Sequence, residues 1–152
     1  MAARYPDRAA SAGLIAGPFY PDSAAFAGLS AAWVTALERG EGFKGFLRWI
    51  MPGMPDSAAV GMNAQMLASN DMGSLLAAMR AMGGLVVGRD FAGRIRAPAV
   101  IAVGTGDPLH PQSQALAAWW PSAELVVLPE VNHVAIVVRP EVIGALRELV
   151  RR

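Results

Sequence analysis

The chain has 152 residues, 54% of them hydrophobic and 16% charged, with a formal net charge of +1, which is typical of one globular domain and excludes a disordered chain. Cysteine is absent, which excludes disulfides and thiolate metal sites. No run of basic residues occurs and no aromatic residues interleave with the arginines, so the basic patch of a nucleic-acid-binding protein is missing. No uninterrupted apolar stretch approaches the roughly 20 residues of a membrane-spanning helix, so we expect a cytoplasmic protein with neither a membrane nor a nucleic-acid partner.

The first predicted element is a short buried strand. The segment ASAGLIAG, near Ala10–Gly17, is an uncharged apolar run that ends in glycine. A continuous run of this length is typical of a parallel strand that is covered on both faces.

The next segment, from Asp22 to about Gly84, has a helical pattern throughout. Apolar residues recur at helical spacing in two stripes, which end at Gly40 and at Pro52. The first stripe consists of Phe26, Leu29, Trp33, Val34 and Leu37, and the second of Phe43, Phe46, Leu47 and Ile50.

Capping residues predict two further helices in this segment. Asp56 or Ser57 is expected to cap one of them, within PDSAAVGMNAQMLASN. Asp71 is expected to cap the other, within DMGSLLAAMRAMGG, which ends in paired glycines.

The rest of the chain alternates strands and helices. Two apolar runs bounded by Gly or Pro predict strands near Pro98–Gly104 and near Ala123–Glu130. The helix between them has Pro111 in its first turn and ends before Pro121, and a last helix starts at Pro140. This order predicts a right-handed βαβ unit and a parallel sheet.

One carboxylate and one imidazole follow the last two predicted strands. Asp107 lies three residues past the second strand, and His133 lies a few residues past the third. In a parallel sheet these two loops leave the same edge from strands about 4.8 Å apart, so we expect the side chains to reach hydrogen-bonding distance. A carboxylate on one ring nitrogen leaves the other nitrogen free to take a proton from a nucleophile.

Each of these residues also has a simpler interpretation. Asp107 precedes a proline and follows a glycine, which is ordinary turn chemistry, and a histidine in a loop is often solvated or capping. Together with His110, Asp107 and His133 would also supply two histidines and one carboxylate to a metal. The position of His110 beside Pro111 favours loop packing instead.

Several segments together resemble the carboxyl-terminal half of α/β-hydrolase-fold proteins. MAARYPDRAASAGLIAG resembles the stretch between the family's nucleophile elbow and its sixth strand, and the helical segment resembles the inserted cap. FAGRIRAPAVIAVGTGDPLHP is similar to the seventh strand and acid loop, and WWPSAELVVLPEVNHVAIVVRPEVIGALRELV to the eighth strand, histidine loop and last helix. The resemblance implies a partial α/β-hydrolase fold, with three parallel strands, flanking helices and a helical cap. It places the core in residues 1–18 and 85–152 and the cap in residues 19–84.

By this resemblance, Asp107 is the acid and His133 the base of a nucleophile–His–Asp triad that hydrolyses esters or related acyl bonds. The resemblance implies a small, apolar, ester-like substrate and neither a cofactor nor a metal. The family usually has glycine before the histidine, where this chain has Asn132. An apolar acyl pocket would be lined by Phe19, Trp33, Trp49, Met51 and Met54.

The nucleophile of such a triad is missing from the chain. The Gly-x-Ser-x-Gly elbow of the family has no match, and Ser30, in GLSAA, lies in a helical stripe without a preceding strand. We therefore expect a hydrolase that lacks its nucleophile half and is inactive by itself. The alternative is a non-catalytic remnant or binding module that keeps the cap pocket.

The resemblance also implies that the chain associates with another polypeptide. It leaves the first strand, SAGLIAG, without the neighbour that precedes it in the family's sheet. An unpaired, uncharged, apolar edge is a template for another strand. We expect a homodimer or another association through this strand, or a separate amino-terminal half.

Overall fold

The computed structural model describes residues 2–17, 23–82 and 88–151. The chain divides into two compact units. The sheet unit comprises Met1–Pro21 and Val87–Arg152, and the helical unit comprises Asp22–Val86. The sequence predicts this division near residues 18 and 84.

In its described residues, the sheet unit contains three parallel strands in the order β1-β2-β3. They span Ala12–Ile15, Ala99–Gly104 and Ala123–Leu128, which confirms the predicted partial α/β architecture. Every residue of the central strand β2 is buried. Its register pairs Ala99 with Ala12 on one side and with Ala123 on the other.

Helices pack against both faces of this sheet. On one face, Leu116 and Trp120 pack with Ala99 and Ile101 of β2. On the other face, fully buried Val142 and Ile136 pack with Ala102. Alternate residues of β2 therefore enter different core clusters, as the period of two of a strand requires. The described helices that follow β1 in this unit are α5 (Arg89–Ala92), α6 (His110–Trp119), a 3-10 helix (Ala135–Val138) and α7 (Pro140–Arg151).

Three short elements of the sheet unit were not predicted. The 3-10 turn Pro6–Arg8 precedes β1, the single-turn helix α5 precedes β2, and the 3-10 helix Ala135–Val138 precedes α7. None is long enough for an apolar stripe to repeat, so the sequence gives no periodic signal for them.

The helical unit consists of four helices in its described residues, α1 (Ser23–Glu38), α2 (Lys44–Ile50), α3 (Asp56–Ser69) and α4 (Met72–Met82). Gly40 ends α1 in the left-handed conformation, with φ 74°, as its position after the apolar stripe predicts. The ring of Trp33 lies 5.0 Å from that of Phe46 and 5.2 Å from that of Trp49. This aromatic cluster joins α1 to α2 and contains one residue of each predicted stripe, Trp33 and Phe46.

The predicted cap of α3 is wrong, whereas that of α4 is confirmed. Helix α3 begins at Asp56 after Pro55, without a side-chain cap, and the Asp56 carboxylate instead accepts a 2.7 Å hydrogen bond from exposed Arg48. The Asp56 carboxylate, which the sequence assigned to the amino-terminal end of α3, therefore forms an ion pair with α2 instead. At α4, the Asp71 carboxylate accepts a 2.7 Å hydrogen bond from the Ser74 N–H.

Among the described residues, no helix is both long enough and apolar enough to cross a membrane.

The Asp71 cap predicts a pH-dependent contribution to stability. Hydrogen bonds from the Ser74 backbone, and secondarily from its side chain, hold the pKa of Asp71 below its ordinary value of 3.8. Because the folded-state pKa is lowered, this stabilisation is present above the ordinary value and disappears as the pH falls through the lowered one. We expect Asp71→Ala to lower the thermal unfolding temperature at neutral pH. The difference in unfolding temperature between this variant and the unmodified chain should become smaller in strong acid, where the carboxylate is protonated.

The matched control is Asp71→Asn, which keeps an accepting oxygen but does not titrate. Circular dichroism melts should show that it preserves most of the stability without the acid-dependent change. Equal melts of Asp71→Ala and the unmodified chain at neutral pH would contradict the capping role.

Candidate active site

The loop after β2 holds Asp107 in a fixed orientation. The strand ends at Gly104, and the Asp107 side chain has no exposed surface. Its Oδ1 accepts a 2.8 Å hydrogen bond from the Leu109 N–H, which is the turn interaction that the Asp-Pro sequence suggests. That bond occupies one carboxylate oxygen and leaves Oδ2 for another partner.

The partner of Asp107 is His133, in the loop after β3. Their side chains meet with Nδ1 of His133 2.9 Å from Oδ2 of Asp107, so the contact expected from the sequence is confirmed. A carboxylate can only accept, so Nδ1 donates this hydrogen bond, and in a neutral ring Nε2 is then the nitrogen with the free lone pair. The imidazole is 26% exposed, and no group in the described ranges hydrogen-bonds to Nε2.

Further contacts join the acid loop to the histidine loop. Oγ1 of Thr105 accepts a 2.8 Å hydrogen bond from the Glu130 N–H, and the Gly106 N–H donates to the Val131 carbonyl at 3.1 Å. Glu130 has φ 57°, in the left-handed region, where the chain turns between β3 and His133. The backbone of Gly104 lies so close to the Val131 carbonyl that a Cβ would overlap it. The Asp107–His133 pair is therefore supported by two loops that are bonded to each other.

Ser30, the serine whose surroundings partly match the elbow motif, has a structural role, and two further serines lie in or beside elements of the sheet unit. Ser30 is buried in α1, and its hydroxyl donates a 2.8 Å hydrogen bond to the Met79 carbonyl of α4. Ser113 is buried in α6, and Ser11 directly precedes β1. No serine hydroxyl in the described part of the chain hydrogen-bonds to His133. Among the described residues, the imidazole of His133 therefore has the Asp107 carboxylate as a partner and no serine.

The metal alternative has no support in the described residues. They contain no group of three or more His, Cys, Asp or Glu side chains that could hold an ion. His110 lies at the start of α6, and its Nε2 is buried without a hydrogen-bond partner.

The residues predicted to bind substrate lie in the helical unit, except Phe19, which is outside the described residues. Trp33 is buried, whereas Trp49, Met51 and Met54 are half-buried, the latter two in the segment after α2. Their role in binding stays a prediction.

A groove of about 460 Å³ lies elsewhere in the helical unit. The sequence did not single it out, because most of its residues are small and belong to no motif. It is lined by Ala27, Ser30, Ala31, Val34, Thr35 and Arg80.

Comparison with known proteins identifies the fold. No protein-family model and no curated protein matches the chain. Among solved structures, it is similar to a hydrolase from Oleispira antarctica, with TM-score 0.70 and 15% identity, and to a thermophilic esterase from Thermogutta terrifontis, with TM-score 0.72 and 23% identity. A 2-hydroxy-6-oxo-6-phenylhexa-2,4-dienoate hydrolase from a Rhodococcus species is also similar, with TM-score 0.61 and 20% identity.

These comparisons cover 99% of the chain, but the chain spans only 58–60% of the length of the three proteins. The chain therefore has the α/β-hydrolase fold in part, matching the resemblance to its carboxyl-terminal portion. Its structural neighbours are hydrolases and esterases of that fold. At these identities the similarity establishes the fold alone.

The close packing of Gly104 predicts a large effect of one added methyl group. An alanine at this position has to displace the Val131 backbone, so we expect Gly104→Ala to destabilise the protein by about 2 kcal/mol or more. The matched control is Gly144→Ala, in the interior of α7, where an added Cβ meets no atom within 4 Å. It should be neutral or stabilising by about 0.5–1 kcal/mol, because alanine favours helices. Urea unfolding measures the free energy of unfolding of both variants. A Gly104→Ala variant as stable as Gly144→Ala would contradict the packing argument.

Proposed function

We propose that the chain contributes the acid and the base of a nucleophile–His–Asp triad, in a hydrolase that cleaves esters or related acyl bonds. The observation that carries this proposal is the 2.9 Å contact between Nδ1 of His133 and Oδ2 of fully buried Asp107. It orients the ring so that its free nitrogen can accept a proton. A small, apolar, ester-like substrate fits the thermophilic esterase among the structural neighbours. The absence of cysteine fits a cytoplasmic enzyme.

In this proposal His133 acts first as a base and then as an acid. When the nucleophile is Ser or Cys, Nε2 takes its proton, and the resulting imidazolium is stabilised by the Asp107 carboxylate. The imidazolium then returns the proton to the leaving alcohol as the acyl group stays on the nucleophile. Nε2 next deprotonates a water that attacks the acyl group; the bond between acyl group and nucleophile breaks, and the imidazolium returns the proton to the nucleophile as the acid leaves.

The nucleophile and the oxyanion-binding amides come from a polypeptide segment other than these 152 residues. The Gly-x-Ser-x-Gly motif is absent from the chain, and the serines discussed above do not hydrogen-bond to His133. The fold's nucleophile can be Ser, Asp or Cys, so the reaction subtype depends on that segment. We propose that it is encoded in frame upstream of Met1 or by a separate gene.

A binding module without chemistry is the second candidate. It is favoured by the same missing motif and by the groove of about 460 Å³ in the helical unit. The two candidates differ in whether His133 and Asp107 matter to function. A binding module needs neither side chain for ligand affinity, whereas a hydrolase loses its reaction without them.

The chain alone should hydrolyse p-nitrophenyl acyl esters little or not at all, because the nucleophile, base and oxyanion donors act as a unit. Adding the polypeptide that carries Gly-x-(Ser/Asp/Cys)-x-Gly should restore turnover. In the restored enzyme, Asp107→Asn should lower kcat by roughly 10⁴-fold, and His133→Ala by at least as much. The released p-nitrophenolate measures each rate.

The matched control for this assay is His110→Ala, which removes the chain's other histidine and leaves the Asp107–His133 contact in place. It should retain the activity. A restored enzyme that is indifferent to His133→Ala would refute the hydrolase proposal and favour a binding module. Hydrolysis by the chain alone that depends on His133 would instead refute the need for an outside nucleophile.

We also propose that the chain associates through β1. This strand forms one edge of the described sheet, and the segment from Ala9 to Gly17 has no charged residue to hinder pairing. Size-exclusion chromatography with light scattering should therefore give a dimer or a larger species. Ser11→Lys, which puts a charge beside the edge, should shift the population toward monomer. Val150→Lys, on an exposed site of α7, should not. A stable monomer of the unmodified chain would contradict this proposal.

A further inference from the structure

Three hydrogen bonds converge on Asn132, the residue before His133. Its side-chain Oδ1 accepts from the Val134 N–H at 3.1 Å and from the Ala135 N–H at 2.9 Å. Its backbone carbonyl accepts from the Ile136 N–H at 3.2 Å. All three donors lie beyond His133 in the chain, so these bonds close the backbone into a turn around the histidine.

This turn is anchored in the core at both ends. Val131 is buried before it, and Ile136 is fully buried after it, in the same cluster with Val142 of α7. The residues between these anchors are exposed or half-buried, including Asn132 and His133. Core packing therefore fixes where the turn begins and ends, while the conformation between those points depends on its own hydrogen bonds.

Neither burial nor backbone strain explains an asparagine at position 132. The side chain is exposed, and the positive φ of this loop belongs to Glu130 rather than to Asn132. What asparagine adds is an acceptor for two successive N–H groups at the start of the 3-10 helix, as in a helix N-cap. The glycine usual in resembling proteins offers no such acceptor.

We propose that Asn132 is a positioning residue for His133. By closing the turn, its side chain limits the orientations of the imidazole to those in which Nδ1 faces Oδ2 of Asp107 and Nε2 keeps its lone pair for the nucleophile. Asn132 acts through His133 and does not itself touch the reacting groups. This inference rests on the proposed function, in which His133 is the general base.

The test measures the imidazole tautomer in the isolated chain, so it needs neither the nucleophile nor any activity. The chain has two histidines, and His110→Gln assigns their ring signals in ¹⁵N NMR spectra recorded where imidazole is neutral. The unmodified chain should show His133 mainly with its proton on Nδ1. In Asn132→Ala the ratio of the Nδ1–H to the Nε2–H form should fall at least about threefold, as expected for losing the net contribution of one or both hydrogen bonds that the side chain accepts.

Two control variants separate positioning from general destabilisation. Asn132→Asp keeps an accepting oxygen and should restore the tautomer ratio of the unmodified chain. Asn70→Ala removes an exposed asparagine that donates to the Met66 carbonyl in the helical unit, and it should leave the His133 signals unchanged. Circular dichroism establishes that each variant is folded under the conditions of the spectra.

The outcomes distinguish this inference from the proposed function. An unchanged tautomer ratio in folded Asn132→Ala, or no recovery in Asn132→Asp, overturns the positioning role and leaves the hydrolase proposal standing. If His133 of the unmodified chain carries its proton on Nε2, the contact with Asp107 does not persist in solution. Both proposals then fail.

Discussion

The parallel pairing of β2 with β3 is the constraint on which the candidate site depends. The register sets Gly104 opposite Leu128, so the two strands end at the same level and their loops leave the sheet side by side. Neighbouring strands are only about 4.8 Å apart, but two loops that left them in different directions would still hold Asp107 and His133 apart. In this structure the two loops stay in contact with each other. Gly104 lets the histidine loop lie directly against the end of β2, and Thr105 and Gly106 bond to it.

The contact between Asp107 and His133 also offsets the energetic cost of burying the Asp107 carboxylate. A carboxylate with no exposed surface is strongly destabilising unless its oxygens have partners, and Asp107 has one partner on each oxygen. One of them, the Leu109 N–H, belongs to the same turn, whereas the other is the imidazole of the next loop. Removing the imidazole therefore leaves a buried acceptor unsatisfied, so in the proposed function stability and reactivity are coupled at this pair.

The sequence predicted the features that depend on residue types with few structural roles. It did not predict the features that depend on hydrogen bonds between loops. Continuous apolar runs predicted all three strands, and the positions of Asp107 and His133 after two of them predicted their contact. The cap assigned to Asp56 was wrong because Arg48, eight residues earlier, lies within reach only after α2 and α3 have packed. The support from Thr105 and Asn132 was not foreseen, since a threonine or an asparagine in a loop has many possible partners. Composition cannot select among them.

The pair is preorganised by short-range interactions of the sheet unit alone. Asp107 is oriented by its own turn, His133 lies in a turn closed by Asn132, and the two loops bond to each other at Thr105 and Glu130. None of these contacts requires a nucleophile to be present. An acid–base pair whose geometry is complete before the nucleophile arrives loses little further conformational freedom when a nucleophile docks beside Nε2. The proposed location of the nucleophile in a different segment, or a different chain, is therefore compatible with this geometry, because Asp107 and His133 are aligned by their own loops.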